Sequence, residues 1–291
     1  FVTDDYVDLF DSETVHSDFQ GIGNNNDYSI FCWIKTTGGT ATSSQVWSGD
    51  DTIIELRQET VSSTKVPFSF AINNNKLLLG RTDDYLTGAE KEIGVATVND
   101  GLWHHVGFTM DDNAYVFYID GAVDSSGSFA TATGDCSVGT TNSNMQIGVR
   151  SRDGGQKDSN LFDGSICQVG IWSRALSASE VQGVMYKQYA DLSSADQVSL
   201  VSWYGLDADY NDAHGSNNGT NSGSTLNATV YGGNAPSKPR ISDSAPDVVD
   251  NYGTLHSGTA LSFDGTNDYV TFPFQESGSY TISAWFKLDV A

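Results

Sequence analysis

Apolar residues fall in short runs that alternate with polar ones, and stretches rich in Gly, Asn, Ser and Asp separate the runs. Alternation with a period of two is the mark of a half-buried strand. Tyr28-Ser29-Ile30-Phe31-Cys32-Trp33-Ile34-Lys35 reads as one such strand. Trp103, Val106 and Phe108 begin another, whose partner Tyr115 to Asp120 lies across the turn Asp111-Asp112-Asn113. Adjacent residues on a strand face opposite sides, so His104 and His105 cannot share a metal and are expected to pack or hydrogen-bond at the strand start. Only Ser177 to about Lys187 reads as helical, with Ser177 and Glu180 at the spacing of a capping box. Leu200 to Tyr204 predicts a further strand, and residues 207–250 predict long loops. Short strands joined by turn residues predict an all-β sandwich or barrel.

The pattern repeats. Tyr28 to Lys35 returns as Tyr280-Thr281-Ile282-Ser283-Ala284-Trp285-Phe286-Lys287, and Asp5-Tyr6-Val7 returns as Asp268-Tyr269-Val270. One domain therefore ends inside the chain and another begins. The expected division is a first domain over 1–190, a linker at Ala190 to Asp196, and the start of a second, incomplete copy over 197–291. A first domain ending at Ala190 lacks counterparts of Leu200 to Leu206 and of Ala260 to Phe263, which would leave a sheet edge unpaired. Chain upstream of Phe1, the chain's own Leu200 to Tyr204, or the same strand of a neighbouring copy would each complete it. The third option makes copies of the chain partners through strand complementation.

Charge narrows the partners. With 37 acidic residues against 14 basic ones the net charge is −23, which repels phosphate backbones and anionic headgroups. Nucleic acid and membrane insertion are excluded as expectations, and no apolar run reaches the ~18–20 residues of a membrane span. Cys32, Cys136 and Cys167 form no disulfide framework; Cys136 with Cys167 or three buried thiols both fit the sequence.

The order of the motifs resembles a known family. Leu102-Trp103-His104-His105-Val106, followed by Tyr118-Ile119-Asp120-Gly121, resembles the central hairpin of laminin-G-like and pentraxin-like jelly rolls of the concanavalin A-like class. Phe162-Asp163-Gly164-Ser165-Ile166 through Leu176-Ser177 resembles their closing strand and helix, and Leu261 to Val270 their opening strand pair. The resemblance implies an antiparallel jelly-roll β-sandwich, present with a partial second copy. It also implies a non-catalytic extracellular, cell-surface or virion-surface adhesion module that binds glycans or surface proteins through rim loops. A structural subunit of a surface filament or virion appendage is the alternative, and a glycoside hydrolase of the same fold a remote one. Tyr85 and Tyr210 are candidates to stack on sugar rings.

The hydrolase reading fails on spacing. Retaining glucanases of this fold place two carboxylates on one strand face about 5–5.5 Å apart. The nearest match is Glu55-Leu56-Arg57-Gln58-Glu59, where Arg57 would hold both acids ionised and deny the proton a general acid needs. A solvated charged face is the expectation there. For a cofactor, the resemblance implies calcium, which takes six to eight oxygens from loops. Alignment on the family's metal loops gives Asp50, Asp51, Asp153 and Asn160 as the candidate metal set, with Arg150 and Arg152 where acids or amides are usual. The family's cysteine partner for Cys32 is replaced by Gly107, so that disulfide is not expected.

Overall fold

The computed structural model describes residues 5–10, 19, 22, 26–41, 47–49, 51–59, 64–83, 89–130, 136, 138, 143–151 and 157–226. The second copy of the repeat, from Ala260 onward, lies outside them. Among the described residues the strands form two antiparallel sheets. The first runs in the order β15 (Thr220–Ser222), β1 (Tyr6–Phe10), β10 (Ser143–Ile147), β3 (Asp51–Glu59), β4 (Thr64–Asn73), β5 (Lys76–Thr82), β6 (Glu90–Thr97). The second runs β14 (Leu200–Tyr204), β13 (Gly164–Trp172), β2 (Tyr28–Thr36), β7 (Trp103–Asp111), β8 (Ala114–Ile119), β9 (Ala122–Ser128). A hairpin of β11 (Val149–Ser151) and β12 (Lys157–Leu161) stands apart. This is the jelly-roll sandwich that the alternation and the motif order predict.

The core lies between the sheets. Ile54, Leu56, Phe68, Phe70, Leu77, Leu79, Met145 and Ile147 meet Ile30, Cys32, Ile34, Val106, Phe108, Phe117, Val169 and Ile171 there. Burying each large side chain stabilises by about 1.5–3 kcal/mol relative to exposure. Strand β2 also turns Phe31 and Trp33 outward, and these are buried too. The helix α1 (Ala178–Val184) and the chain after it cover them. Ser177 caps α1, accepting from the Glu180 N–H while Glu180 accepts from the Ser177 N–H at 2.8 Å, as the Ser-x-x-Glu spacing predicts. Arg174 and Ser177 together hold the Glu180 carboxyl down at about 2.

The covering layer is pinned through indole N–H groups. Trp33 Nε1 donates to the Met185 carbonyl at 2.8 Å and Trp172 Nε1 to the Asp196 carbonyl at 2.9 Å. Trp203 Nε1 donates to Gln168 Oε1 at 2.9 Å. The stretch expected as a linker is thus part of this layer: it contains a 3-10 turn at Tyr189–Asp191, buried Leu192, and the Lys187–Asp196 ion pair at 2.6 Å. The outward ring of Phe31 also explains Gly107, where a Cβ would come within 2.1 Å of that ring.

Residues 200–226 close the sandwich on both sheets. Strand β14 pairs with β13, Tyr204 opposite Val169, and β15 pairs with β1, Asn221 opposite Val7. Asp212 organises the span between them, which the sequence alone marked as loop. Its buried carboxylate accepts from the backbone N–H groups of Trp203 at 2.9 Å, His214 at 3.0 Å and Asn217 at 3.3 Å. Tyr204 Oη donates to the Asn217 carbonyl at 2.8 Å. Of the possible sources of an edge strand beside β13, the chain's own Leu200 to Tyr204 occupies it. At the opposite side of the sandwich, Asp124 of β9 accepts from the N–H groups of Val95 (2.7 Å) and Ala96 (2.8 Å) on β6, joining one edge of each sheet.

A fragment ending at Ala190 would leave the β13 edge unpaired and remove Tyr204 from the core. It should aggregate or melt well below the 291-residue chain, as light scattering and thermal unfolding would record. An equal melting temperature would rule out the closing role of 200–226.

Candidate functional site

The C-terminal end of β2, the entry to β3, and the β12–β13 junction meet at one rim of the sandwich. Thr36 Oγ1 donates to the Asp163 carbonyl at 2.5 Å and accepts from the Gly38 N–H at 2.8 Å. The Asp163 N–H donates to Asp51 Oδ2 at 3.2 Å. The Asn160 side-chain amide donates to the Gly49 carbonyl. A Cβ at Gly38 would sit 2.1 Å from Asp51 Oδ2, so this approach of loop to carboxylate requires glycine. Asn99 Nδ2 extends the network at 2.8 Å to both the Gly38 carbonyl and Asn75 Oδ1.

Of the four residues assigned to a metal, the structure brings Asp51 and Asn160 to this rim. Asp50 and Asp153 lie outside the described residues. Asn160 uses its amide nitrogen on the Gly49 carbonyl; the side-chain oxygens of Asp51 and Asn160 are the groups at this rim of the kind a hard cation takes. Among the described residues no group of three or more His, Cys, Asp or Glu converges as a metal site. Arg150 is buried on β11.

The charged face expected on β3 is not solvated. Glu55 is 0% and Arg57 3% exposed. They lie on the outer face of the first sheet, Glu55 directly opposite Gln146 and Ser69, and Arg57 opposite Asn144. Segment 47–49 lies on that face: a Cβ at Gly80, opposite Ser69, would come within 1.8 Å of the Trp47 carbonyl. The alternation of polar and apolar residues shows that the two faces differ, but a covered polar face and a wet one give the same pattern. The side chain of Glu59 lies outside the described residues.

His104 and His105 take opposite sides, as adjacent strand residues must. His104 lies between two carboxylates, its Nδ1 2.8 Å from Asp120 Oδ2 and its Nε2 3.1 Å from Asp100 Oδ1. The hydrogen bond to Asp120, opposed by partial burial, raises its pKa above the usual histidine value. His105 is 3% exposed, stacks on Phe31 at 5.5 Å, and has no hydrogen-bond partner at Nδ1. Burial pushes its pKa down to about 3.

None of the three cysteines forms a disulfide among the described residues and all are buried, Cys32 facing the core and Cys167 the outer layer beside Trp33 and Met185. Tyr85 lies outside the described residues. Tyr210 packs against the core with its hydroxyl donating to the Ser224 carbonyl at 2.9 Å, which leaves it a structural ring. Thr36, Gly38, Asn99 and Asp163 escaped the sequence reading as rim residues. The bonds that tie them across the rim, Asn99 to Gly38 and Thr36 to Asp163, span 61 and 127 positions, so no local spacing reveals them.

The family model of the concanavalin A-like lectin/glucanases superfamily, Laminin_G_3, matches residues 3–182. Sushi, von Willebrand factor type A, EGF and pentraxin domain-containing protein 1 of Rattus norvegicus is 28% identical over 156 residues, and that of Mus musculus 27% over 135. The matches cover 51% and 44% of this chain, and the chain spans 4% of either relative. A protein of Bacteroides ovatus ATCC 8483, proposed to bind carbohydrate, shares the fold with a TM-score of 0.50 at 17% identity. That match covers 77% of this chain and 60% of the other.

The histidine pair gives opposite pH dependences. His104, with its raised pKa, contributes stability that is fully present below the unfolded value near 6.5 and fades as pH rises through the folded value. His105 acts the other way: as pH falls from about 6.5 towards its folded value of about 3, the unfolded chain gains a proton that the folded chain refuses. The loss approaches about 1.4 kcal/mol per pH unit at its steepest. Denaturant unfolding across pH 4–8 should show His105→Phe flattening the acid limb and His104→Gln losing stability most at the acid end. Identical pH slopes in wild type and His105→Phe would refute the assignment.

Proposed function

The chain belongs to the concanavalin A-like lectin/glucanases superfamily, and on that premise we propose that it is a non-catalytic, extracellular module that binds glycans through the loops at one rim. The observation that carries this reading is the meeting of Thr36, Gly38, Gly49, Asp51, Asn160 and Asp163 at that rim. Backbone and side-chain oxygens held on the ends of rigid strands are the groups that orient polar ligands. A surface protein bound at the same loops is a variant of this reading. Assembly into a filament or virion appendage is the competing one.

The absence of catalysis rests on β3. Glu55 is fully buried on the outer face of β3, so it offers no exposed nucleophile to a sugar bond. Calcium is the proposed cofactor, held by Asp50, Asp51, Asp153 and Asn160 at the rim. When bound it would supply positive charge for ligand hydroxyls or carboxylates. The repeat of Tyr28 to Lys35 at Tyr280 to Lys287 supports a second copy of the domain following the first.

A glycan array read together with the assembly state in solution tests the main reading. Binding by a non-assembling chain supports it, and regular assembly without binding supports the structural alternative. Incubation with β-glucans should release no reducing sugar; turnover lost in Glu55→Gln would overturn the non-catalytic assignment. Added calcium should raise the melting temperature, about 2.7 kcal/mol of stability at a hundredfold excess over Kd. Asp50→Ala should abolish that rise, and a wild-type melting point indifferent to calcium would remove the metal from the proposal.

A further inference from the structure

The outer face of the second sheet carries a row of side chains at the same end of the sandwich as the rim. Ser165 on β13, Lys35 on β2 and Trp103 on β7 stand directly opposite one another. The face is the outer one, because Trp33, two residues before Lys35, packs outside the sandwich with Cys167 and Met185. Trp103 and Tyr186 pack against that same cluster, both half-buried, and the rings of Trp33 and Tyr186 are 5.7 Å apart. With strands about 4.8 Å apart, the row spans about 10 Å.

Two of these groups carry unused donors. Trp33, Trp172 and Trp203 each have the indole N–H pinned to an acceptor. Trp103, partly open to solvent, has none among the described residues. Lys35 is exposed and has no carboxylate partner among the described residues, although the chain carries a net charge of −23. Here an aromatic face, a free N–H, a free ammonium and a hydroxyl lie side by side on rigid strands.

We infer that this row is a sugar-stacking subsite: a pyranose ring lies on Trp103, and its hydroxyls take hydrogen bonds from the Trp103 indole, the Lys35 ammonium and Ser165. A pyranose presents an apolar C–H face to an aromatic ring and a polar edge around it, which matches this arrangement of one ring and its flanking donors. The assignment rests on the glycan-binding reading and deepens it, placing the ring contact on strands beside the rim loops. Neither Tyr85 nor Tyr210 is part of it.

The test uses the full chain. The best oligosaccharide from the array is titrated by calorimetry into wild type, Trp103→Ala, Trp103→Phe and Lys35→Ala, with circular dichroism and melting temperature recorded for each. Trp103→Ala should weaken binding about tenfold or more, in the range of an aromatic anchor. Trp103→Phe, which keeps a ring and loses the N–H, should fall between it and wild type, and Lys35→Ala should lose several-fold. Should Trp103→Ala misfold, the other two variants decide. Wild-type affinity in Trp103→Phe and Lys35→Ala, with the wild-type chain binding, would overturn the subsite and leave the rim loops as the site. A wild-type chain that binds no glycan on the array removes the glycan reading, and the subsite with it.

Discussion

Strand β2 is apolar on both faces, and the rest of the molecule follows from covering it. Ile30, Cys32 and Ile34 face the core between the sheets, while Phe31 and Trp33 face away from it. A sandwich of two sheets buries one face of each and would leave those two rings in water. The chain therefore adds a third layer. The helix α1 brings Val181 and Val184 over Phe31, and Met185 receives the Trp33 indole through its carbonyl. The N–H groups of the outer tryptophans must then find acceptors, because a buried donor without one costs about 1–3 kcal/mol. Those of Trp33 and Trp172 find them in the stretch running from α1 to β14, at Met185 and Asp196, which is why that stretch is fixed in place.

Covering β2 also decides where the chain goes next. The layer ends at Ser199, beside the free edge of β13, so Leu200 to Tyr204 enters the sheet there with Trp203 set against Trp172 at 5.9 Å. The chain must then cross to the first sheet to pair with β1. Asp212 makes that crossing possible by taking three backbone N–H groups that no strand would satisfy. Both sheets are thereby closed on one side, and the Asp124 carboxylate joins their edges on the other.

How much of this is legible in the sequence depends on the range of the interaction. The hairpin of β7 and β8, the capped helix and the strand at Leu200 rest on local spacing, and their positions follow from it. The burial of Glu55 and Arg57 does not. Their period-two pattern is right for a strand with a polar face, and only the close approach of Trp47 to Gly80 shows that the face is covered. The span 207–226 reads as loop because its Asn, Gly and Asp are turn residues. Its order comes from one aspartate whose hydrogen bonds reach from Trp203 to Asn217. The rim is illegible for the same reason, since Thr36 and Asp163 meet across 127 positions. Where the motif order mattered more than spacing, in assigning the jelly roll, the sequence was sufficient.

The same economy of covering leaves few places for a ligand. The outer face of the second sheet is occupied by α1 and its extension over most of its length, and the outer face of the first is met by segment 47–49. The lateral edges are taken by β14 and β15 on one side and by the Asp124 clamp on the other. Besides the exposed Ile93, Val95 and Val123 of β6 and β9, what stays open among the described residues includes the end of β2, β7 and β13. There the strands hold side chains in fixed register: Lys35 is exposed, Trp103 and Ser165 are partly so, and the Asp51–Asp163 loops lie just beyond. A binding surface needs rigid support and access to solvent together. In this fold the two coincide at that end, where Trp103 leans on the layer that rigidifies β2 while Lys35 stays exposed.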